Sequence, residues 1–353
     1  MMIETRKASF AKLGDFLARF ITKESNNDIW EAHEEKHVRQ LDKAIADSIH
    51  YNGWFTKENI YFSLAQWAKA LQLENLESWL EPYDFANNKQ SKKIAIIMAG
   101  NIPLVGFHDF LSVLISGHQA LLKLSSNDKL LLPALIDYLK SIEPEFENAI
   151  EIADEKLPNF DAVIATGSNN TARYFEYYFS KKPHIIRKNR NSVAILTGEE
   201  SNEDLKNLGE DIFRYYGLGC RNVSKLFVPE NYDFKTFFEA IYEWNPIINQ
   251  HKYANNYDYN KAVYLMSEQK LFDNNFLILK EDDGFSSPIG CLFYERYSDK
   301  NQLEKILKEK EENLQCIVSK NLEDDHINFG STQQPQLYDY ADNVDTLAFL
   351  SNL

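Results

Sequence analysis

Hydrophobic residues recur at three- and four-residue spacing through roughly the first 85 positions, and then the rhythm changes. Phe10, Leu13, Phe16, Leu17 and Phe20 fall on one helical face. Thr56 stands as an N-cap ahead of a second stripe formed by Ile60, Leu64, Trp67, Ala68 and Leu71. The Asn- and Lys-rich stretch from Asn87 to Lys93 reads as a linker. Beyond it, short apolar runs alternate with longer helical patterns. Ile94 to Met98, Ala120 to Leu124, Ala162 to Ala165 and Val193 to Leu196 are expected strands. Leu104 to Ser116, Lys129 to Ser141 and Thr171 to Phe179 are expected helices, with Pro103 placed in the first turn of the first and Asp128 as N-cap of the second. Ser201-x-x-Asp204 resembles a capping box for a helix running to about Tyr215.

After Cys220 the pattern resumes with a strand from Val223 to Val228, helices over Phe234 to Trp244 and around Asn249 to Met266, and further strands. Alternating strands and helices imply a parallel α/β sheet that presents ligands at the strand C-terminal ends. The expected organisation is a helical N-terminal region with a Rossmann-type domain over 1–215, an α/β catalytic domain over 216–335, and a tail over 336–353 that packs back on the first domain.

Composition narrows the partners. The chain has 353 residues and a net charge of −15, which disfavours nucleic acid or an anionic membrane as main partner. The most apolar region, Ile94 to Leu124, is interrupted by Asn101, Pro103, His108, Asp109 and His118, so no membrane span is expected. The start lacks the order of a signal peptide, and Cys220, Cys291 and Cys316 form neither a disulfide framework nor a zinc pattern. A cytoplasmic protein without a metal site is expected, and a homo-oligomer stays open.

Four segments could carry chemistry. Tyr216-Gly-Leu-Gly-Cys220 puts a cysteine on a glycine-spaced turn just ahead of a strand, where a nucleophile would be accessible. Such a cysteine also occurs as a small core residue, the reading given to Cys291 and Cys316. Gly100-Asn101-Ile102-Pro103 follows the first strand, and an asparagine amide there can donate to an oxyanion or simply close a turn. Lys123, with Ser125 in the loop after it, ends the second strand and can reach a ribose or a phosphate. Thr166-Gly167-Ser168 precedes a helix whose N–H groups can face phosphate, or is an ordinary N-cap. No His/Asp set partners Cys220, and His108, His118 and His184 read as packed or surface residues. Arg221, adjacent in what is expected to be an extended segment, would point to the opposite face.

In order, Ala99-Gly-Asn-Ile-Pro103, Leu122-Lys-Leu-Ser-Ser126, Ala165-Thr-Gly-Ser168 and Gly217-Leu-Gly-Cys-Arg-Asn-Val-Ser-Lys-Leu-Phe-Val228 resemble the landmarks of the aldehyde dehydrogenase superfamily. Within it they are most similar to the acyl-CoA reductases typified by the fatty-acid reductase of bacterial luminescence. The resemblance implies Cys220 as nucleophile, and Asn101 with the Cys220 N–H as oxyanion donors. It also implies Lys123 and Ser125 on the adenosine ribose or its phosphate, and Thr166, Gly167 and Ser168 at the pyrophosphate of NADPH or NADH. The substrate implied is an acyl-CoA, reduced to an aldehyde.

Two departures bear on this. Where hydrolytic relatives carry a glutamate base, the chain reads Ile185-Ile-Arg-Lys-Asn-Arg-Asn-Ser-Val193, with the glutamate position near Ile186. Activating water needs that base, whereas exchanging one thiol ester for another does not, which favours a CoA-dependent reductase. Near Gly284-Phe-Ser-Ser-Pro288 the usual ribose-binding glutamate is missing. Reduction of an acyl phosphate, oxidation of an aldehyde, or a catalytically silent nucleotide-binding scaffold are the alternatives.

Overall fold

A computed structural model describes residues 1–23, 30–85, 90–154, 156–320 and 326–353. Residues 87–89 of the expected linker lie outside the described residues, and the first strand begins at the linker's end, at Lys93. The chain forms two compact units, Met1–Lys188 with Gln336–Leu353, and Asn189–Pro335.

The first unit opens with α1 (Ile3–Thr22), α2 (Ala32–Tyr51), α3 (Lys57–Ala70) and α4 (Leu73–Leu80). The Thr56 hydroxyl caps α3 by accepting from Asn59 N–H at 3.4 Å, a contribution of about 1 kcal/mol. There follow β1 (Lys93–Ile97), α5 (Phe107–Ile115), β2 (Gln119–Lys123), α6 (Leu131–Ile142), β3 (Ile150–Ile152), β4 (Ala162–Thr166), α7 (Asn169–Phe179) and β5 (His184–Arg187). All five strands are parallel, in the order β3-β2-β1-β4-β5.

Alternation along the strands explains why both faces are covered. Ile94 and Ile96, Ala120 and Leu122, Ala162 and Ile164 join a core shared with α1–α6. Their neighbours Ala95, Leu121, Val163 and Ala165 pack on the other face against Phe175 and Phe179 of α7. The helical N-terminal region is therefore part of the sheet's core rather than an appendage.

The C-terminal segment, ending in α12 (Thr346–Ser351), closes this unit, with Leu337, Leu347 and Leu350 in the same core. The His118 ring accepts from Lys92 N–H at Nδ1 (3.1 Å), so its Nε2–H donates to Leu350 O (3.0 Å). Burial pushes His118 below its ordinary pKa, in keeping with this neutral form. Arg187, paired with Asp109 of α5 (2.7 Å), holds the segment through Thr346 Oγ1 (2.9 Å) and Ala341 O (2.6 Å).

The second unit contains β6 (Asn191–Ile195), α8 (Asn202–Phe213), β7 (Val223–Pro229), α9 (Phe234–Ala240), α10 (His251–Met266), β8 (Leu271–Asp273), β9 (Ile278–Glu281), β10 (Cys291–Tyr297), α11 (Lys300–Glu309) and β11 (Leu314–Val318). Its sheet runs β11-β6-β7-β10-β9-β8, parallel except for β8 against β9. The expected capping box forms: Ser201 Oγ accepts from Asp204 N–H at 3.1 Å, and the Asp204 carboxylate accepts from Ser201 N–H at 2.8 Å. The division between the units falls at Lys188/Asn189, ahead of position 215, because β6 pairs with β7 and β11 rather than with a strand of the first sheet.

Candidate active site

In the first unit Ile97 stands opposite both Lys123 and Ala165, so the loops after β1, β2 and β4 emerge along one edge of the sheet. The chain leaves β1 toward β2 and later returns to β4 on the other side. The β1/β4 boundary is thus the topological switch point, where open parallel sheets bind ligands. Asn101, Lys123, Ser125, Thr166, Gly167 and Ser168 share that edge.

Asn101 is exposed, while Gly100, Pro103 and Leu104 around it are buried. Only glycine fits at position 100, because a Cβ there would lie 2.5 Å from Ser125 Oγ. The loops after β1 and β2 therefore touch. Two details differ from expectation. Pro103 does not open a helix: Leu104 is left-handed (φ 58°), and α5 starts at Phe107. Asp128 is not the N-cap residue of its helix: α6 begins at Leu131 after Leu130, and the Asp128 carboxylate reaches across to accept from Leu104 N–H at 2.8 Å. Burial pushes the Asp128 carboxyl up to about 6.

Lys123 Nζ donates to Asp154 O, and Ser125 Oγ accepts from Asn127 N–H at 3.3 Å. Ser168 is the N-cap of α7, its hydroxyl accepting from Thr171 N–H at 3.3 Å. What the helix start offers to a phosphate is then its backbone N–H groups. A Cβ at Gly167 would approach Thr171 Cβ to 3.0 Å and Phe175 to 3.1 Å, so the strand-to-helix turn is drawn close. A dinucleotide fits this edge: close glycine turns, a helix N-terminus and a lysine lie together on it.

Cys220 belongs to the second unit and is built separately. The chain leaves α8 through three left-handed residues, Tyr215 (φ 55°), Tyr216 (φ 59°) and Gly217 (φ 75°). The two tyrosines each cost on the order of 1 kcal/mol or more, so other contacts must hold them. Asn222, 2% exposed, supplies these. Its Nδ2 donates to Arg214 O (2.8 Å) and Asp211 O (3.0 Å), and its Oδ1 accepts from Gly219 N–H (2.8 Å). Asn222 N–H also reaches Gly219 O at 3.0 Å, so Cys220 and Arg221 are the central residues of a turn rather than of an extended segment. Ser192 Oγ donates to Cys220 O at 2.9 Å.

A second layer supports that turn. Arg221 Nε donates to Thr332 O at 2.7 Å. Asp211, fully buried on α8, accepts from Gly330 N–H (2.7 Å), Thr332 N–H (3.0 Å) and Thr332 Oγ1 (2.8 Å). Burial pushes its carboxyl up to about 6 against those three donors, which favour the ionised form. Cys220 is the exposed thiol of the three; Cys291 and Cys316 are buried, and burial pushes Cys291 up to about 12.

The Gly284–Pro288 loop is fixed to β7 beside this turn. Ser224 Oγ donates to Phe285 O at 2.6 Å. Lys225, with no exposed surface, donates to Asp283 O (3.0 Å) and Glu295 (2.5 Å) between the rings of Phe227 and Phe285. The Ile185–Arg190 stretch is likewise structural: Ile185 is core, and Arg187 is the anchor of the C-terminal segment. Asn222 and Asp211 were not singled out from sequence. A charged residue among the apolar positions Leu205, Leu208 and Ile212 of α8 was the available signal for Asp211.

A family model described as Acyl-CoA reductase (LuxC) matches residues 12–318. The chain belongs to the acyl-CoA reductase (LuxC) family. It is an oxidoreductase, as expected from its motifs. Comparison with curated proteins gives no match. Among solved structures, this LuxC-family chain is similar to aldehyde dehydrogenase 21 from Physcomitrella patens in complex with succinate, with TM-score 0.59, 15% identity, and 91% of this chain and 74% of the other covered. It is similar to an indole-3-acetaldehyde dehydrogenase complexed with NAD+ (TM-score 0.62, 13% identity, 90% and 72% covered). It is also similar to an E. coli NADP-dependent enzyme (TM-score 0.60, 12% identity, 89% and 74% covered). At such identities the likeness establishes the aldehyde dehydrogenase fold. Among the described residues, no helix is long and apolar enough to cross a membrane.

Proposed function

We propose that the protein reduces an acyl-CoA thioester to an aldehyde through an acyl group carried on Cys220, with NADPH, or NADH, as reductant. The observation that carries this is the Cys220 turn: an exposed thiol on a loop held by Asn222 and Ser192, in a chain of the acyl-CoA reductase family.

The Cys220 thiolate attacks the thioester carbonyl carbon, forming a C–S bond. The Asn101 side-chain amide and the Cys220 N–H donate to the resulting oxyanion, each worth on the order of 3 kcal/mol. The oxyanion collapses, the bond to the CoA sulfur breaks, and CoA leaves as a thiolate that takes up a proton. Cys220 then holds the acyl group as a thioester. When bound, the reduced nicotinamide supplies a hydride at the acyl carbon. Asn101 and the Cys220 N–H again carry the negative oxygen until its electron pair re-forms the carbonyl, and the Cys220 thiolate is released with the aldehyde. No step needs an activated water, in keeping with a stretch around Ile186 that carries no glutamate near the position of the hydrolytic base.

Lys123 and Ser125 are assigned to the adenosine ribose or its phosphate, and Thr166, Gly167 and Ser168 to the pyrophosphate. Their common edge at the β1/β4 switch point supports this. NADPH is preferred on the family resemblance; the structural relatives include an NAD+ complex and an NADP-dependent enzyme.

The test is the absorbance decay of NADPH and NADH with short and long acyl-CoAs, using Cys220→Ala as control. Turnover that vanishes in the variant is expected. Turnover with an acyl phosphate or aldehyde but no acyl-CoA would contradict the proposal.

A further inference from the structure

The loop that carries Asn101 is gripped by side chains from a part of the chain that bears no catalytic motif. Asn52, which ends α2, is 6% exposed, and its Nδ2 donates to Gly100 O at 3.0 Å. Its remaining groups are committed as well: Oδ1 accepts from Trp54 N–H at 3.1 Å, and its own N–H donates to Ser48 O at 3.0 Å. Ser63, on the buried face of α3 and 4% exposed, donates to Pro103 O at 3.1 Å. Asp128 accepts from Leu104 N–H.

These bonds act on two peptide planes. The carbonyl of Gly100 belongs to the peptide that leads into Asn101, and Asn52 fixes its direction. The carbonyl of Pro103 and the N–H of Leu104 are the two ends of one peptide. Ser63 holds one end and Asp128 the other, which is how Leu104 is kept left-handed at φ 58°. Asn101, Ile102 and Pro103 span the distance between two fixed planes, and the proline ring restricts the third, so the backbone on which the exposed Asn101 amide sits has little freedom. The donors are themselves rigid, because α1–α4 share one core with β1 and β2. An oxyanion donor is effective only when preorganised, and a displacement near 1 Å costs on the order of a hundredfold in rate.

We propose that the N-terminal helices serve as the mount of the oxyanion loop, and that Asn52 and Ser63 are positioning residues that aim Asn101 during the reaction. This rests on Asn101 being an oxyanion donor.

The experiment is a double-mutant cycle on kcat for acyl-CoA reduction, with Asn52→Ala, Asn101→Ala and the double variant. Asn52→Ala is expected to lower kcat about tenfold with the cofactor KM unchanged, and the double variant to be no slower than Asn101→Ala alone. Ser63→Ala should show a smaller loss, and Ser63→Thr, which keeps the hydroxyl, should restore the parent rate. Amide hydrogen exchange supplies a readout independent of turnover: residues 99–105 should exchange faster in Asn52→Ala while β1 stays protected. Multiplicative losses in the cycle, or unchanged exchange at 99–105, would overturn the positioning role. Parent-level kcat in Asn101→Ala would instead overturn the oxyanion role on which it rests.

Discussion

The Asn101 loop and the Cys220 turn solve the same problem with different chain economy. Each presents one exposed reactive side chain on a backbone pinned by buried polar groups. The Cys220 turn is pinned first from within: Asn222, two residues on, ties Gly219 to the end of α8. The Asn101 loop is pinned from afar, by Asn52, Ser63 and Asp128, which lie 48, 40 and 24 residues from the groups they hold. A turn with a local pin can be recognised as a short motif. A loop held at long range depends on the whole core being formed, and its motif contains only the residue being held.

This contrast can be broken at several points. The largest expected effect is Cys220→Ala, which should lower acyl-CoA reduction more than roughly a thousandfold without changing the melting temperature, since the thiol is exposed. Asn101→Ala should cost on the order of a hundredfold or more in kcat, again at constant stability. Asn222→Ala should differ from both. It leaves the Gly219 N–H and the carbonyls at the end of α8 without their partner in a buried setting, so about 2–3 kcal/mol of stability should go with the activity, read by denaturant midpoint. Stability equal to the parent would show that the turn holds without Asn222.

Asp211 sharpens the picture through pH. Its carboxyl sits near 6 when folded, against an ordinary value of 3.8. A raised carboxyl favours the folded state below the ordinary value, and that contribution is lost as pH rises through about 6. The difference is up to about 3 kcal/mol for a shift of this size. Asp211→Asn, which cannot ionise, should therefore gain stability relative to the parent as pH rises from about 4 to about 7, followed by chemical denaturation. A constant difference would mean that the three donors cancel the burial. The smallest effect belongs to Cys291→Ala and Cys316→Ala: turnover within about twofold of the parent and a loss near 1 kcal/mol in stability for each buried thiol.

Much of the first sheet was legible because its strands are short apolar runs whose alternate residues all find a covered face. β3 and β5 were not anticipated. Ile150–Ile152 has a single buried residue, and His184–Arg187 alternates too briefly to register. The helical N-terminus was legible as helices but not as a mount, since an Asn at a helix end and a Ser on a buried face look like an ordinary cap and an ordinary small residue. Arg187 drew notice only as a departure from the hydrolytic pattern. Its bonds to Asp109 and Thr346 join parts of the chain 78 and 159 residues away, which no local pattern records.

The most direct test of the account is to mix the protein with an acyl-CoA in the absence of reduced nicotinamide and measure its intact mass, followed by peptide mapping. One acyl group on the peptide containing Cys220, absent in Cys220→Ala, is the predicted result. Turnover without any adduct, or an adduct on Cys291 or Cys316 instead, would contradict it.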